Sequence, residues 1–455
     1  MASEKKIGDI QSGRLSADEI NQNFSDLHAP LTELQAIQES ARCLFCHDAP
    51  CTEACPTDID VPGFIRKIAS GNIIGAAKSI LEENIMGNTC GNVCPVEELC
   101  EQVCVKNTSE DKPVIIGQLQ RYATDYLFEC SIQPFQRGPD TGKHVAVVGA
   151  GPAGLSCAHR LAMLGHEVSI FESRTEPGGL NEYGLAAYKM LEERAAREVG
   201  LIVDIGGINL ETGQSLGTDF NLDDLRRKYE AVFISLGHNS VNALGIENEG
   251  IDGVHNAVDF IERIRQENLD TLPVGRNVVV IGGGNTAIDI AVQMKKLGAE
   301  TVTLVYRRGV VQMGATEFEQ TVAQTNGVLI RTRAQPVRIH SSDNQLRAVE
   351  FEYTEIDSNG QMTGTGEAFE LPADQLFKAI GQSLDPSPLD GAEVPALVGG
   401  RINADPNRRT SLPDVWAGGD CTAGLDLTVV AVQDGKIAAQ SINEYLSINE
   451  HLNHG

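Results

Sequence analysis

No stretch of this chain approaches the roughly 18 uninterrupted apolar residues that a membrane-spanning helix needs. Its opening residues, MASEKKIGDIQSG, lack the basic-then-apolar layout of a secretory signal. A soluble, cytoplasmic protein is therefore expected. Positive charge is scarce: 36 Lys and Arg stand against 63 Asp and Glu, a formal net charge of −27. A field of that sign repels nucleic acid and anionic membrane surfaces, so neither is expected as a partner. There is no low-complexity tract and no solenoid repeat. Cysteine is absent from 158 to 420, and eight of the eleven cysteines lie between 43 and 104. In a reducing compartment such clustered thiols point to metal or redox chemistry over structural disulfides.

What is present divides by texture. At 455 residues the chain is too long for one core. The cysteine-rich part carries apolar residues at three-to-four spacing in SADEINQNFSDL and VPGFIRKIASGNIIGAAKSILEEN, which predicts helices. A segment with two prolines and two glycines, SIQPFQRGPDTGK (131–143), reads as a linker. After it come strand–glycine turn–helix units. HVAVVGAGPAGLSCAHRLAMLGHEVSIFES is one βαβ unit, and NVVVIGGGNTAIDIAVQMKKLGAETVTLVYRR, about 130 residues later, is another. Two such units predict an α/β protein with two Rossmann-like nucleotide-binding domains, one of them inserted in the other.

In the first unit an apolar strand (145–148) runs into Gly149, Gly151, Pro152, Ala153 and Gly154, then a helix, then a strand ending at Glu172. The first glycine makes the tight turn, the second admits the pyrophosphate, and the third lets helix pack on strand. The helix N-terminus receives phosphate charge. Glu172 suits a ribose 2′-hydroxyl and repels a 2′-phosphate, which fits FAD or NAD. The second unit has Gly282, Gly284, Asn285, Thr286 and Ala287 on the same spacing. Its second strand ends in Arg307 and Arg308, where an acid would select NAD. Paired guanidiniums match a 2′-phosphate, which favours NADPH, with NADH kept open.

The stretch VWAGGDCTAGLDLTVVAVQDGKIAAQS (415–441) resembles the second FAD motif of two-dinucleotide flavoprotein disulfide reductases. That resemblance implies FAD contacts for Gly419 and Asp420 and places Thr428 and Val429 near the flavin ring. ISLGHN (234–239) and KAIGQ (378–382), the latter with Ala379, Ile380 and Gly381, resemble the turns by which such chains pass between FAD and NAD(P)H domains. The first unit is then the FAD site and the second the NAD(P)H site. Thioredoxin-reductase-type chemistry needs a CxxC beside the flavin, and the cysteine-free stretch supplies none. Electrons must leave through the N-terminal cysteines.

Those cysteines are spaced C43-x2-C46-x4-C51-x3-C55-P and C90-x3-C94-P-x4-C100-x3-C104. Thiolates are the usual ligands of [4Fe-4S] clusters, and in two-cluster patterns the cysteine before proline ligates the other cluster. By that logic Cys55 crosses over and a late cysteine returns. Two structural zinc sites are the alternative, but only Cys43 and Cys46 form a C-x2-C knuckle.

A helical cysteine domain followed by FAD and NAD(P)H domains resembles the glutamate synthase small-subunit family. TCGNVCPVEELC (89–100) and IIGQLQRYATD (115–125) bring it closest to its pyrimidine branch, the reductase subunits of bacterial NAD(P)-dependent dihydropyrimidine dehydrogenase. The resemblance covers essentially the whole chain. It implies one cluster on Cys43, Cys46, Cys51 and Cys104, and a second on Cys55, Cys94, Cys100 and Gln120. Cys90 becomes a spare thiol, with its replacement of Gln120 left open. Relatives carry a GGx…P-x-F/Y-R stretch whose arginine contacts FAD; here GGLNEYGLAAYKM lacks the proline and places Lys189 there, after Gly179 and Leu180.

The implied organisation is a helical double iron–sulfur domain (1–140), a first part of the FAD domain (141–270), an NAD(P)H domain (271–384) and a second part of the FAD domain (385–455). The implied function is electron input: NAD(P)H oxidised via FAD, with electrons passed through two [4Fe-4S] clusters to an FMN-containing catalytic subunit that reduces uracil or thymine. The chain carries no TIM-barrel repeat, so no pyrimidine site and no general acid are expected in it; His47, beside Cys46, is the histidine closest to the redox chemistry. The alternatives are the small subunit of glutamate synthase and a stand-alone NAD(P)H:ferredoxin reductase.

Overall fold

A computed structural model describes residues 14–191, 193–357 and 361–453. The chain divides into two units, each assembled from discontinuous segments.

The larger unit comprises residues 28–182, 190–240 and 383–453. Its centre is a parallel sheet in the order 415–417, 231–234, 144–148, 167–172, 208–212. Strands 415–417, 231–234 and 144–148 are near-continuous apolar runs, as expected where both faces are covered, while the edge strand 208–212 has no fully buried residue. Helix Pro152–Met163 lies against the long helix Thr428–Asn453. The cysteine-rich segment folds as short helices. Its apolar run 61–83 forms two of them, Val61–Ala69 and Ile73–Glu83, the second capped by the Asn72 side chain on the Gly75 amide. The helices do not form a separate body. Phe64, Ile80 and Leu119 belong to the same buried apolar cluster as Val145, Phe233 and Ile442 of the sheet and its helices. The predicted linker 131–143 has no regular secondary structure, yet Phe135 is buried and packs edge-on against His159.

The smaller unit comprises 14–27, 183–189 and 241–382. It repeats the same parallel order with strands 254–256, 375–379, 277–282, 301–306 and 329–332. A three-stranded antiparallel sheet (334–342, 345–356, 362–372) packs on it through Ile339, Val349 and Phe351. The unit thus starts at 241, where the sequence reading set its boundary at 271. The segment 14–27, expected with the cysteine helices, is found here. Ile20 and Phe24 enter this unit's core, and Arg14 donates to the Val274 and Gly275 carbonyls. Among the described residues, no helix is long and apolar enough to cross a membrane.

Candidate redox and nucleotide sites

In the larger unit the first glycine turn is built by close backbone approach. Gly149 has φ +98°, and a Cβ there would lie 2.4 Å from the Ser235 carbonyl oxygen, so only glycine fits. Ser235 Oγ donates to the carbonyls of Val148 and Gly149 and fixes the crossing. Helix Pro152–Met163 starts at Gly151 with no side-chain cap, leaving its first amides open to an anion. Glu172 is buried at the end of the second strand and accepts from the Ala150 and Arg174 amides. Gly178 N donates to Ala150 O, bringing Gly179 and Leu180 beside the turn. Thr428, which opens the long helix, donates to Asn181 Oδ1, while Val429 is buried.

The Gly418–Gly419–Asp420 turn is held by Asp434, which accepts from the Gly419 amide and pairs with Arg408. Burial, and then neighbouring Asp426, push the Asp420 carboxyl up to about 6. His238 donates to the Asp420 backbone carbonyl, and burial holds its imidazole below the usual histidine range. Ser235, Asn181, His238 and Asp434 escaped the sequence reading, since their role depends on distant segments meeting.

The eight clustered cysteines fall into two groups. Cys43, Cys46, Cys51 and Cys104 line one small cavity of about 30 Å³, whose walls also include the apolar side chains of Val61, Ile65 and Ile116. Burial raises the Cys43 thiol, and raises Cys51 to about 11, with neighbouring cysteines of the group adding to both. Cys94 is raised by a hydrogen bond with Cys90, then by burial, then by Cys100 and Cys55, so these four thiols form the second group. Gln120 is buried and its Nε2 donates to Gly87 O at 2.7 Å, which leaves Oε1 as its ligand-capable atom. Cys43, Cys51, Cys94 and Cys100, held towards the neutral thiol by burial and neighbouring cysteines against the opposing pull of Arg66 on Cys43, fit a site whose positive charge arrives with iron. Cys130 is exposed, Cys157 and Cys421 are buried, and His47 is exposed.

In the smaller unit the second glycine turn repeats the construction. Gly282 has φ +153°, and a Cβ there would meet Ala379 O at 2.2 Å, tying the turn to the Ala379–Ile380–Gly381 stretch. Helix Asn285–Lys296 opens at Gly284 without a side-chain cap. Asn285 Oδ1 is shielded and lacks a hydrogen-bond partner, an acceptor suited to a nucleotide hydroxyl or amide. Thr286 follows it, half-buried, and Ala287 is fully buried beneath. Arg307 and Arg308 are exposed just past the second strand. Thr354 Oγ1 bonds the Arg307 carbonyl and Arg333 N the Arg308 carbonyl, so the backbone is pinned, while the two guanidiniums have no acidic partner among the described residues.

Lys189 is not among the residues gathered at the first glycine turn. It is buried in the smaller unit with its ammonium 2.7 Å from Asp289 and 2.5 Å from Glu319. Burial alone would lower it; the two carboxylates more than reverse that. Tyr188 bonds Asp289, and Gln293 accepts from the Ala187 amide, so helix positions 289 and 293 grip the segment 183–189.

Two glycine-turn sheets with open helix N-termini, in a chain that also carries two groups of thiols, define a nucleotide-dependent redox flavoprotein. Residues 143–435 match the family model for pyridine nucleotide-disulphide oxidoreductases, and residues 20–132 match that for dihydropyrimidine dehydrogenase domain II, 4Fe-4S cluster. The PreT subunit of NAD-dependent dihydropyrimidine dehydrogenase from Salmonella typhimurium is 36% identical over 427 residues, covering 93% of this chain and 98% of that protein. The small chain of NADPH glutamate synthase from Escherichia coli is 33% identical over 450 residues, with 93% and 94% covered. The structure of Mycobacterium tuberculosis FprA in complex with NADPH shares the fold, with a TM-score of 0.57 and 19% identity over 69% of this chain and 86% of that one. The chain belongs to the pyridine nucleotide-disulphide oxidoreductase family, in the group of PreT dihydropyrimidine dehydrogenase subunits. It is an oxidoreductase with an FAD- and NAD(P)-binding region and a 4Fe-4S domain.

Proposed function

We propose that this chain is the electron-input subunit of a heteromeric dihydropyrimidine dehydrogenase, whose partner carries FMN and reduces the 5,6 double bond of uracil or thymine. When bound, FAD and two [4Fe-4S] clusters supply the conversion of a two-electron hydride donor into single electrons. The residues divide that work. The turn at Gly149, Gly151 and Gly154, with Glu172, Gly179, Leu180, Gly419, Asp420, Thr428 and Val429, holds FAD. The turn at Gly282 and Gly284, with Asn285, Thr286, Ala287 and Ala379–Gly381, holds the nicotinamide nucleotide, and Arg307 and Arg308 select the 2′-phosphate of NADPH. Cys43, Cys46, Cys51 and Cys104 ligate one cluster; Cys55, Cys94, Cys100 and Gln120 Oε1 ligate the other, with Cys90 beside it.

The observation that carries this reading is the meeting of two thiol groups within the core that also builds the first dinucleotide turn. It accounts for a flavoprotein with no cysteine between 158 and 420. A glutamate synthase small chain is the second reading, favoured by an identity nearly as high. The test is NADPH oxidation by the chain reconstituted anaerobically with its co-purifying subunit. Uracil-dependent turnover is expected; turnover dependent on glutamine plus 2-oxoglutarate would replace the first reading with the second.

A further inference from the structure

Helix Gly87–Val93 carries Cys90 and ends on Cys94, yet it has no side-chain cap of its own. Its first amides are satisfied from far along the chain. Glu198, fully buried on helix Arg194–Val203, accepts from Asn88 N at 2.8 Å and Thr89 N at 2.9 Å, and its second oxygen accepts from the Thr89 hydroxyl. One turn earlier on that helix, Arg194 pairs with Asp125 and donates to Asn88 Oδ1. Asn88 Nδ2 closes the ring on Asp125 at 2.7 Å and Thr124 at 3.0 Å. On the other side, Gly91 meets the Arg121 backbone so closely that a Cβ would lie 2.9 Å from Arg121 N. The cysteine helix is therefore fixed from two directions: by close packing on helix Ile116–Glu129, which bears Gln120, and by a carboxylate from the crossover that joins strands 167–172 and 208–212 of the dinucleotide sheet.

A buried carboxylate with three donors is a costly feature to hold unless its position matters. Burial raises Glu198 to about 7, against the pull of its donors and of Arg194. A seven-residue helix cannot hold itself in place, because helices this short are unstable alone. Its register and tilt are set by what grips its ends, and Cys94 sits at the end opposite Glu198.

We propose that Glu198 is a positioning residue for the second cluster: by holding the Asn88 and Thr89 amides, it sets helix Gly87–Val93 so that Cys94 meets Cys55, Cys100 and Gln120. The inference rests on the ligand set proposed above. Glu198 touches none of the ligands and acts only through the helix.

The test uses the full chain purified anaerobically with FAD. Glu198→Ala should lose about half of the wild-type iron and acid-labile sulfide, together with one of the two reduced-cluster EPR signals, at unchanged FAD content. Glu198→Gln keeps one acceptor oxygen. It should retain the iron but shift the EPR spectrum and midpoint potential of that one cluster, with hydrogen exchange at Asn88 and Thr89 faster by roughly tenfold or more. Cys100→Ser is the control for the ligand set and should remove the same EPR signal. If Cys100→Ser removes that signal while both Glu198 variants keep full iron, both signals and wild-type exchange, the inference fails and the ligand set stands. If Cys100→Ser keeps every signal, the ligand set itself fails. Loss of FAD and both clusters in both variants would assign Glu198 to folding at large and overturn the positioning role.

Discussion

The pair Arg307 and Arg308 gives the sharpest prediction, because its structural and functional roles separate. Both side chains are exposed and neither makes an ion pair among the described residues. Arg226 is the contrast: it pairs with both Asp414 and Glu393. Removing the guanidiniums therefore breaks no native contact, and Arg307→Ala with Arg308→Ala should change folding stability by no more than about 0.5 kcal/mol. Binding is different. A charge-assisted bond from guanidinium to phosphate contributes about 1.5–3 kcal/mol. Two in solvent-exposed positions, screened by salt, give a combined loss of about 1.5–3 kcal/mol. That corresponds to a rise of roughly 10- to 150-fold in Kd for NADPH, and a change of less than roughly twofold for NADH, which lacks the 2′-phosphate. The assay is anaerobic stopped-flow bleaching of the FAD absorbance against nucleotide concentration, which reads Kd apart from the rate of reduction. Equal weakening of both nucleotides would refute the reasoning. So would a large fall in the unfolding midpoint, since it would reveal a contact that these side chains do not make.

Three further outcomes follow from the geometry. Lys189→Met leaves Asp289 and Glu319 buried without their cation and should cost about 3–5 kcal/mol in chemical denaturation; adding Asp289→Asn and Glu319→Gln should recover most of it. Asp420 is held at about 6, above its ordinary 3.8, so its contribution to apo-protein stability is present below about pH 4 and lost as pH rises through 6. Asp420→Asn should therefore flatten the pH dependence and stabilise the apo-protein at pH 8 by about 1–3 kcal/mol, read as the difference in urea midpoints at pH 5 and pH 8. For the thiols, Cys51→Ser and Cys100→Ser should each remove about half the iron and their double variant nearly all. Cys90→Ser should remove none, as checked by iron content and reduced-state EPR.

The parts legible in the sequence are those written in short spacings. Gly149–Gly154 and Gly282–Ala287 each build a turn from adjacent residues, so strand, turn and helix can be read together. The cysteines also announce themselves by number and spacing, and the structure gathers Cys43, Cys46, Cys51 and Cys104 around one cavity. What spacing does not encode is where a segment goes after it leaves its neighbours. Lys189 follows a flavin-side glycine pair by ten residues, yet it is buried against Asp289 and Glu319, 100 and 130 residues further on. The segment 14–27 precedes the cysteine helices but packs on strands and helices of 257–302. Glu198 stands in an ordinary amphipathic helix, and nothing local marks it as the anchor of residues 88 and 89.

The segment 183–189 bears on how this protein can be taken apart. The nucleotide unit looks like an insertion that could be lifted out between 241 and 382, but its helix Asn285–Lys296 is completed by Tyr188 and Lys189 from elsewhere in the chain. A transplanted 241–382 fragment would expose a slot lined by Asp289, Gln293 and Glu319, two of them acids stripped of their counterion. Exchange of coenzyme modules between relatives therefore has to carry three pieces together (14–27, 183–189 and 241–382), and a chimera cut at the apparent boundaries should be insoluble for want of the two short ones.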